Sequence, residues 1–275
     1  AASDTDSQQS PEEQAAQEAL RSHLERKGGF YTILLSGLDD DNGGSDTNIL
    51  MAVDTVNGYV YGVSIPRDSK AIIGGKAHKI NYAYNKGGTE LLASTVSEQL
   101  GIPVDYTVCV NLQGFTALVD AIGGVDFEVP INMDYDDPIQ GLSIHFKKGM
   151  QHLSGADALR VVRFRHNNDG TGYGSEDLGR MQTQQKFLKA VAKKMLSFEN
   201  LISNPRKYAE IFGQYVDTDL SVTDLAWFGM QVLGMGVDKI DFSTLPNEWK
   251  YPYIYLDPDE TLALVNTYLN PYVED

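Results

Sequence analysis

Four arginines at separate points of the sequence could together bind phosphate oxygens. Arg67 follows a predicted strand, Arg163 and Arg165 flank a phenylalanine, and Arg180 lies near the start of a predicted helix. A guanidinium group donates forked hydrogen bonds that match phosphate oxygens. If residues 163–165 are extended, Arg163 and Arg165 point to the same side. The alternatives without a ligand are a local ion pair between Arg67 and Asp68, and exposure of Arg163 and Arg165 on a solvated strand face.

The segment from Ser175 to Phe198 is predicted to be a helix whose one face changes character. Projected at about 100° per residue, Asp177, Arg180 and Gln184 share a face with the apolar Val191. Buried Asp and Arg are uncommon unless they are paired or bind a ligand. The pattern indicates a core-facing stripe whose first turns line a polar pocket. A surface pair between Asp177 and Arg180 remains an open alternative.

An acidic turn follows the first predicted strand. Asp39 and Asp46 close a loop of Asp, Asn and Gly, and Asp40 and Asp41 lie between them. Mg²⁺ is commonly held by one or two carboxylates together with substrate phosphates. The loop is therefore a candidate Mg²⁺ site, although an ordinary acidic turn has the same composition.

The elements that must position these groups alternate between strands and helices. Asn57-Gly58 separates two strand-like runs, which predicts a hairpin there. Alternating strands and amphipathic helices are typical of an α/β layered domain. The predicted strands are Phe30–Ser36, Ile49–Asp54, Tyr59–Ile65, Val104–Asn111 and Val125–Ile131, and the predicted helices span 87–100, 115–122, 175–198 and 223–237.

Composition and charge argue against several classes of protein. The chain has 275 residues and a formal net charge of −16, which argues against nucleic-acid binding because DNA and RNA require clustered Lys and Arg. The single cysteine, Cys109, excludes an intramolecular disulfide. No apolar stretch reaches membrane-spanning length. Residues 1–29 are polar and are expected to form a stalk or linker, and residues 30–275 one domain.

Short motifs in a fixed order carry a family resemblance. The ordered set resembles the LytR–CpsA–Psr (LCP) family of cell-envelope phosphotransferases. The motifs are Gly37-Leu38-Asp39, Ser45-Asp46-Thr47, Ser64-Ile65-Pro66-Arg67-Asp68, Lys79-Ile80-Asn81-Tyr82-Ala83-Tyr84, Gly87-Gly88, Gly114-Phe115, Val119-Asp120-Ala121-Ile122-Gly123-Gly124-Val125, Gly149 to Leu159, Arg163-Phe164-Arg165, Asp177-Leu178-Gly179-Arg180 and Gln184-Gln185.

The resemblance implies a single α/β/α layered domain with a mixed central sheet and an apolar lipid pocket. The motif core would span residues 30–198, and residues 199–275 would add a C-terminal helix and strand extension. The implied activity is transfer of a glycopolymer from a polyprenyl-pyrophosphate carrier to peptidoglycan, and pyrophosphatase activity is left open as an additional reaction. The implied location is the extracellular face of the cell membrane, with an N-terminal membrane anchor that this sequence does not contain.

The resemblance also implies residue roles. Asp39 and Asp46 would hold Mg²⁺, and Asp177 would orient or deprotonate the acceptor hydroxyl, or orient Arg180. The catalytic residues would be Arg67, Asp177 and Arg180. The residues that contact the pyrophosphate would be Arg67, Lys79, Arg163, Arg165, Arg180 and Gln184.

The sequence departs from the family pattern in the acidic loop. Asp41 and Gly44 stand where the family normally has arginines. The loss of two cations supports an alternative, in which the protein is a binding module that holds the lipid carrier without turning it over. A third possibility, a transcriptional regulator, is disfavoured by the negative charge and by the lack of a basic helix-turn-helix pattern.

Overall fold

The computed structural model describes residues 24–39, 44–139, 141–174, 176–195 and 205–273. The side chains of Asp39, of residues 176–178 and of residues 205 and 206 lie outside this description. The strands are β1 (Phe30–Asp39), β2 (Gly44–Asp54), β3 (Tyr59–Ile65), β4 (Lys70–Ile73), β5 (Lys76–Lys79), β6 (Tyr106–Asn111), β7 (Val125–Val129), β8 (Met133–Asp137), β9 (Leu142–Phe146), β10 (Gly149–Leu153), β11 (Val216–Thr218), β12 (Ile240–Thr244), β13 (Asn247–Lys250) and β14 (Tyr253–Leu256).

Polar caps start several of the helices. Asn111 and Ser154 each accept a hydrogen bond from a backbone N–H of the following first turn, and Ser221 forms a capping box with Asp224. The helices are α1 (Tyr82–Leu100), α2 (Leu112–Ala121), α3 (Gly155–Arg163), α4 (Glu176–Met195), α5 (Pro205–Tyr215), α6 (Val222–Met235) and α7 (Pro258–Leu264), with a 3₁₀ turn at Val237–Lys239 and a π-helical turn at Val265–Leu269.

A mixed six-stranded sheet forms the centre of the molecule. Its strand order is β11-β6-β1-β2-β3-β12. Strand β1 pairs antiparallel with β2 and parallel with β6, and β3 pairs antiparallel with β2 and parallel with β12. The hairpin predicted at Asn57-Gly58 joins β2 to β3, and Gly58 has the positive φ of 72° that this turn needs. The predicted mixed sheet is confirmed.

Alternate residues of the central strands pack on opposite faces, as the period of two in a strand requires. One face carries Leu34, Leu50 and Val63, which pack against Leu92 and Val96 of α1. The other face carries Ile33, Val53 and Val60, which pack against Phe228 of α6. Helices therefore cover both faces, which confirms the predicted α/β/α layers.

A separate apolar cluster joins α2, α3 and α4 to the small strands. The hairpin-like pair β7–β10 contributes Phe127 and Leu153, and α4 contributes Phe187 and Val191. Because α4 also contacts β12, this cluster fixes the helix between the small strands and the central sheet. No helix within the described ranges is long and apolar enough to cross a membrane.

The segment before β1 pairs with the C-terminal segment. The Lys27 amide donates to the Pro271 carbonyl at 2.8 Å, and the Val273 amide donates to the Glu25 carbonyl at 2.8 Å. Arg26 donates two hydrogen bonds to the Asp105 carboxylate, at 2.6 and 2.7 Å. Of the expected stalk, residues 1–29, the first 23 residues lie outside the described part of the chain. Residues 25–27 of the stalk contact the domain.

The extended arrangement that would align Arg163 and Arg165 is not formed. Arg163 is the last residue of α3, and Phe164 beyond it has extended backbone angles. The helix forms because Ser154 caps it and because Ala158 and Val161 lie three residues apart on its buried face. Arg163 also suits the negative end of the helix dipole.

Candidate functional site

A pocket with a volume of about 390 Å³, part of it open to solvent, lies where the ends of β2 and β3 meet α4 and β14. It brings together four of the residues predicted for the site, although they are distant in sequence: Asp46, Arg67, Arg180 and Gln184. Among the described residues, the pocket is lined by Asp46, Thr47, Asn48, Ser64, Ile65, Pro66, Arg67, Asp68, Arg180, Met181, Gln184 and Ile254.

Asp46 reaches this pocket because β2 contains a bulge. Thr47 pairs with Gly37 and Ser45 pairs with Leu38, so Asp46 is the extra residue between two consecutive pairs. A bulge re-aims the inserted side chain and often lies beside an active site. Asp39 pairs with Gly44 at the end of β1, two residues before Asp46 on the facing strand, and its side chain is outside the described residues.

Buried hydrogen bonds of the Asn48 side chain hold the bulge in place. The Ser36 hydroxyl donates to Asn48 Oδ1 at 3.0 Å, and Asn48 Nδ2 donates to the Ser45 carbonyl at 3.3 Å. Asn48 is 1% exposed, and Ser36 and Ser45 are fully buried. The Ser45 hydroxyl has no hydrogen-bond partner within the described part of the chain. The bulge is therefore fixed by side chains that sequence analysis did not select.

Arg67 lies between two carboxylates. Its Nη1 donates to Asp46 Oδ1 at 2.7 Å, and its Nε lies 3.9 Å from Asp68 Oδ1. Lys79 Nζ is 3.0 Å from the same Asp68 oxygen. Lys79 does not line the pocket and reaches the site through Asp68. The backbone of the arginine is held by the Asn81 amide, which donates to the Arg67 carbonyl at 3.2 Å.

Helix α4 presents a polar first half to the pocket. Arg180 is 7% exposed, and Gln184 Oε1 accepts a hydrogen bond from the Thr47 hydroxyl at 3.4 Å. Gln184 Nε2 donates to the Val162 carbonyl at 3.1 Å. About two helical turns beyond Gln184, Val191 belongs to the apolar core. This arrangement confirms the predicted change from pocket to core along one face of the helix.

Tyr173 is a site-supporting residue that sequence analysis missed. Its hydroxyl lies 3.1 Å from the Thr183 hydroxyl, and its side chain packs so closely on α4 that a Cβ at Gly179 would be 2.2 Å from Tyr173 Cβ and 2.3 Å from the ring atom Cγ. Burial raises the pKa of Tyr173, while the positive charge of Arg180 opposes that shift. The available signal was Gly179, because a glycine inside a helical pattern often marks close approach by a neighbour.

Two of the predicted arginines are not brought into the pocket lining. Arg163 ends α3, next to the Val162 carbonyl that binds Gln184, and Arg165 follows it beyond the helix. Neither arginine lines the pocket. Asp177 belongs to α4, but its side chain lies outside the described residues, so the Asp177–Arg180 alternative is not decided. The predicted roles of these residues stay predictions.

The donor atoms around Asp46 fit a hard cation. The pocket offers the Asp46 carboxylate and the Thr47 hydroxyl, and the unpartnered Ser45 hydroxyl lies beside them in sequence. Mg²⁺ takes oxygen ligands and needs only one or two carboxylates when phosphates and water complete its shell. No group of three His, Cys, Asp or Glu suited to a metal occurs within the described residues.

Comparison with known proteins identifies relatives over most of the chain. The LytR_cpsA_psr family model matches residues 1–269. TagV of Bacillus subtilis (strain 168), a polyisoprenyl-teichoic acid–peptidoglycan teichoic acid transferase, is 32% identical over 241 residues, which are 84% of this chain and 59% of TagV. MsrR of Staphylococcus aureus (strain COL), named a regulatory protein, is 32% identical over 246 residues, which are 88% of this chain and 72% of MsrR.

Solved structures share the fold. The crystal structure of B. subtilis TagV superposes with a TM-score of 0.73 at 30% identity, covering 88% of this chain and 96% of that one. A structure described as TagT bound to LI-WTA gives a TM-score of 0.69 at 25% identity, covering 87% of this chain and 89% of the other. The match of the family model to nearly the whole sequence, together with this fold and pocket, shows that the chain belongs to the LytR_cpsA_psr family.

Proposed function

We propose that this protein transfers a glycopolymer from a polyprenyl-pyrophosphate carrier to a peptidoglycan acceptor at the extracellular face of the cell membrane. The observation that carries the proposal is the convergence of Arg67 and Arg180 with Asp46 in one pocket. The names of relatives, among them TagV and the structure of TagT with LI-WTA, support this substrate class. The chain spans 59% of the length of TagV.

The proposed reaction is a phosphoryl transfer that relies on positioning and charge stabilisation. Arg67 and Arg180 bind the pyrophosphate oxygens, and Gln184 assists. Arg180 is 7% exposed, so its charge is weakly screened by water and strongly stabilises a phosphate that binds beside it. Arg163, Arg165 and Lys79 contribute further positive charge around the pyrophosphate.

The acceptor hydroxyl attacks the sugar-proximal phosphorus and forms a new P–O bond. The bond from that phosphorus to the bridging oxygen breaks, and polyprenyl phosphate leaves with the bridging oxygen. Asp177 takes the proton of the attacking hydroxyl, or it orients Arg180 for the same step. In this way the glycopolymer reaches the acceptor together with one phosphate.

Asp39 and Asp46 are the residues that would hold Mg²⁺ in this reaction. When bound, Mg²⁺ neutralises negative charge on the pyrophosphate oxygens. The lipid tail would lie in an apolar space between the sheet and the helices. The apolar members of the pocket wall, Ile65, Met181 and Ile254, mark the side from which the tail would enter.

The test is release of inorganic phosphate from a polyprenyl pyrophosphate in the presence of Mg²⁺. Arg180→Gln is expected to reduce the rate about 100-fold or more, as loss of a transition-state donor does. The matched control is Arg160→Gln, which removes the same charge from the exposed end of α3, where Arg160 pairs with Asp157. Circular dichroism checks the fold of both variants. Release that is absent with Mg²⁺ and Mn²⁺, or equal in the wild type and Arg180→Gln, would refute the proposal.

A second candidate function is a binding module that holds the lipid carrier without turnover. Two sequence positions favour it, because Asp41 and Gly44 replace arginines of the family pattern. The Arg67 charge is also partly neutralised by Asp46 and Asp68. Stoichiometric binding of a polyprenyl pyrophosphate, with no phosphate release under any divalent cation, would establish this alternative.

A further inference from the structure

The two carboxylates that flank Arg67 differ in how firmly they are held. The Asp46 side chain is 38% exposed and lies on a bulge, whereas the Asp68 side chain is 14% exposed. Asp68 also accepts a hydrogen bond at its backbone carbonyl from the Ile254 amide at 2.9 Å. Lys79 holds the Asp68 carboxylate at 3.0 Å. Asp68 is thus the more buried and more firmly held of these two carboxylates, and Asp46 is the more exposed one.

The same Asp46 carboxylate is the donor that fits a divalent cation. Arg67 Nη1 is 2.7 Å from Asp46 Oδ1, so the guanidinium group already uses an oxygen that a metal would need. A divalent cation and a guanidinium group that share one carboxylate repel each other at such short distances. Entry of the metal must therefore weaken or break the Arg67–Asp46 contact.

We propose that Arg67 and a divalent cation compete for Asp46, and that Asp68 is a positioning residue that keeps Arg67 in the pocket after the exchange. Nε of Arg67 faces Asp68 at 3.9 Å, so the guanidinium group retains this acidic partner when Nη1 turns from Asp46 to a phosphate oxygen. The proposal rests on the proposed function in one respect, that the pocket binds a phosphate group.

The exchange couples metal binding to phosphate binding. A phosphate that binds Arg67 draws the guanidinium group away from Asp46, which leaves the carboxylate to the metal. A metal that binds Asp46 releases the guanidinium group, which can then donate hydrogen bonds to the phosphate. Such coupling is reciprocal by thermodynamic necessity, and each ligand raises the affinity for the other by the same factor. Without phosphate, the protein binds the metal weakly because Arg67 must first be displaced.

The test is a titration of the full chain with Mn²⁺ in the absence of any phosphate. The electron paramagnetic resonance signal of free Mn²⁺ measures how much of the metal is bound. Arg67→Gln is expected to raise the affinity for Mn²⁺ about tenfold, a typical coupling factor. Arg180→Gln removes the same charge from α4 in the same pocket and is expected to raise the affinity by less than twofold. Equal effects of the two variants, or weaker binding by Arg67→Gln, would overturn the competition.

Asp68→Asn tests the positioning role in a second titration, with inorganic pyrophosphate at a fixed, saturating concentration of Mn²⁺. Removal of a negative charge alone would tighten binding of the anion. Loss of the partner that positions Arg67 is expected instead to weaken binding about fivefold, and Asp68→Glu is expected to restore part of it. Tighter binding by Asp68→Asn would overturn the role of Asp68.

These titrations require no turnover, so they separate this inference from the proposed function. Metal exchange at Asp46 in a protein that releases no phosphate would support the inference and count against the transferase. Phosphate release that persists without Mn²⁺ binding by either the wild type or Arg67→Gln would refute the inference and leave the transferase standing.

Discussion

Replacement of Asn48 by alanine is expected to destabilise the fold because Asn48 holds the bulge that carries Asp46. The substitution removes two buried hydrogen bonds, one from the Ser36 hydroxyl and one to the Ser45 carbonyl. A typical hydrogen bond contributes about 1 kcal/mol net, and each buried polar group left without a partner costs about 1–3 kcal/mol. Some relaxation is available to the Ser36 hydroxyl, which can rotate. The expected loss is about 3 kcal/mol.

Urea unfolding followed by circular dichroism measures this loss, with the slope of the transition compared between variants. Asn247→Ala is the matched control, because Asn247 is exposed and makes one local bond, from Nδ2 to the Leu245 carbonyl at 2.7 Å. Its loss is expected to stay below about 1 kcal/mol. A double-mutant cycle with Ser36→Ala should show that the two losses are not additive. A loss for Asn48→Ala no larger than that of the control would refute the reasoning.

Three further predictions concern other parts of the molecule. Gly155→Ala places a Cβ 2.2 Å from the Thr116 carbonyl oxygen and should lower the free energy of unfolding by about 1–3 kcal/mol, whereas Gly213→Ala, with open space around it, should be neutral or slightly stabilising in the same urea assay. Burial raises the pKa of Cys109 to about 11, so the thiol should react with iodoacetamide at pH 8 far more slowly in the folded protein than in the urea-unfolded chain; equal labelling rates would contradict this. The free energy of unfolding should also fall as the pH rises above 9, because there the thiol ionises only in the unfolded chain. The hydrogen bond to Asp134 raises the pKa of His145 above 6.5, so an NMR titration should give a lower midpoint for Asp134→Asn than for the wild type.

Local patterns were sufficient to predict the central elements. Tyr59–Ile65 is a strand with the predicted bounds because Asn57-Gly58 and Pro66 delimit an apolar run. The change of character along the face of α4 was also readable, since a helix fixes which residues share a face. These features depend on neighbours within one or two turns of the chain, which the sequence contains in full.

Contacts between distant segments could not be predicted in the same way. The bulge at Asp46 depends on how β2 pairs with β1, and a local pattern does not determine a single inserted residue. The Asp68–Lys79 pair exists because the β4–β5 hairpin returns the chain to its starting point, where Lys70 pairs with Lys79. The extended backbone at residues 163–165 is only a condition in the sequence argument, because a segment this short fits a strand and a helix equally well.

The pairing of residues 25–27 with residues 271–273 has a mechanical consequence. Both ends of the described domain leave it at the same place, joined by a short antiparallel ladder. A pulling force applied between the two ends would break the hydrogen bonds of this ladder one after another, before any tension reached the central sheet. Tension between the two ends would therefore be absorbed first at the edge of the domain, while the pocket kept its shape.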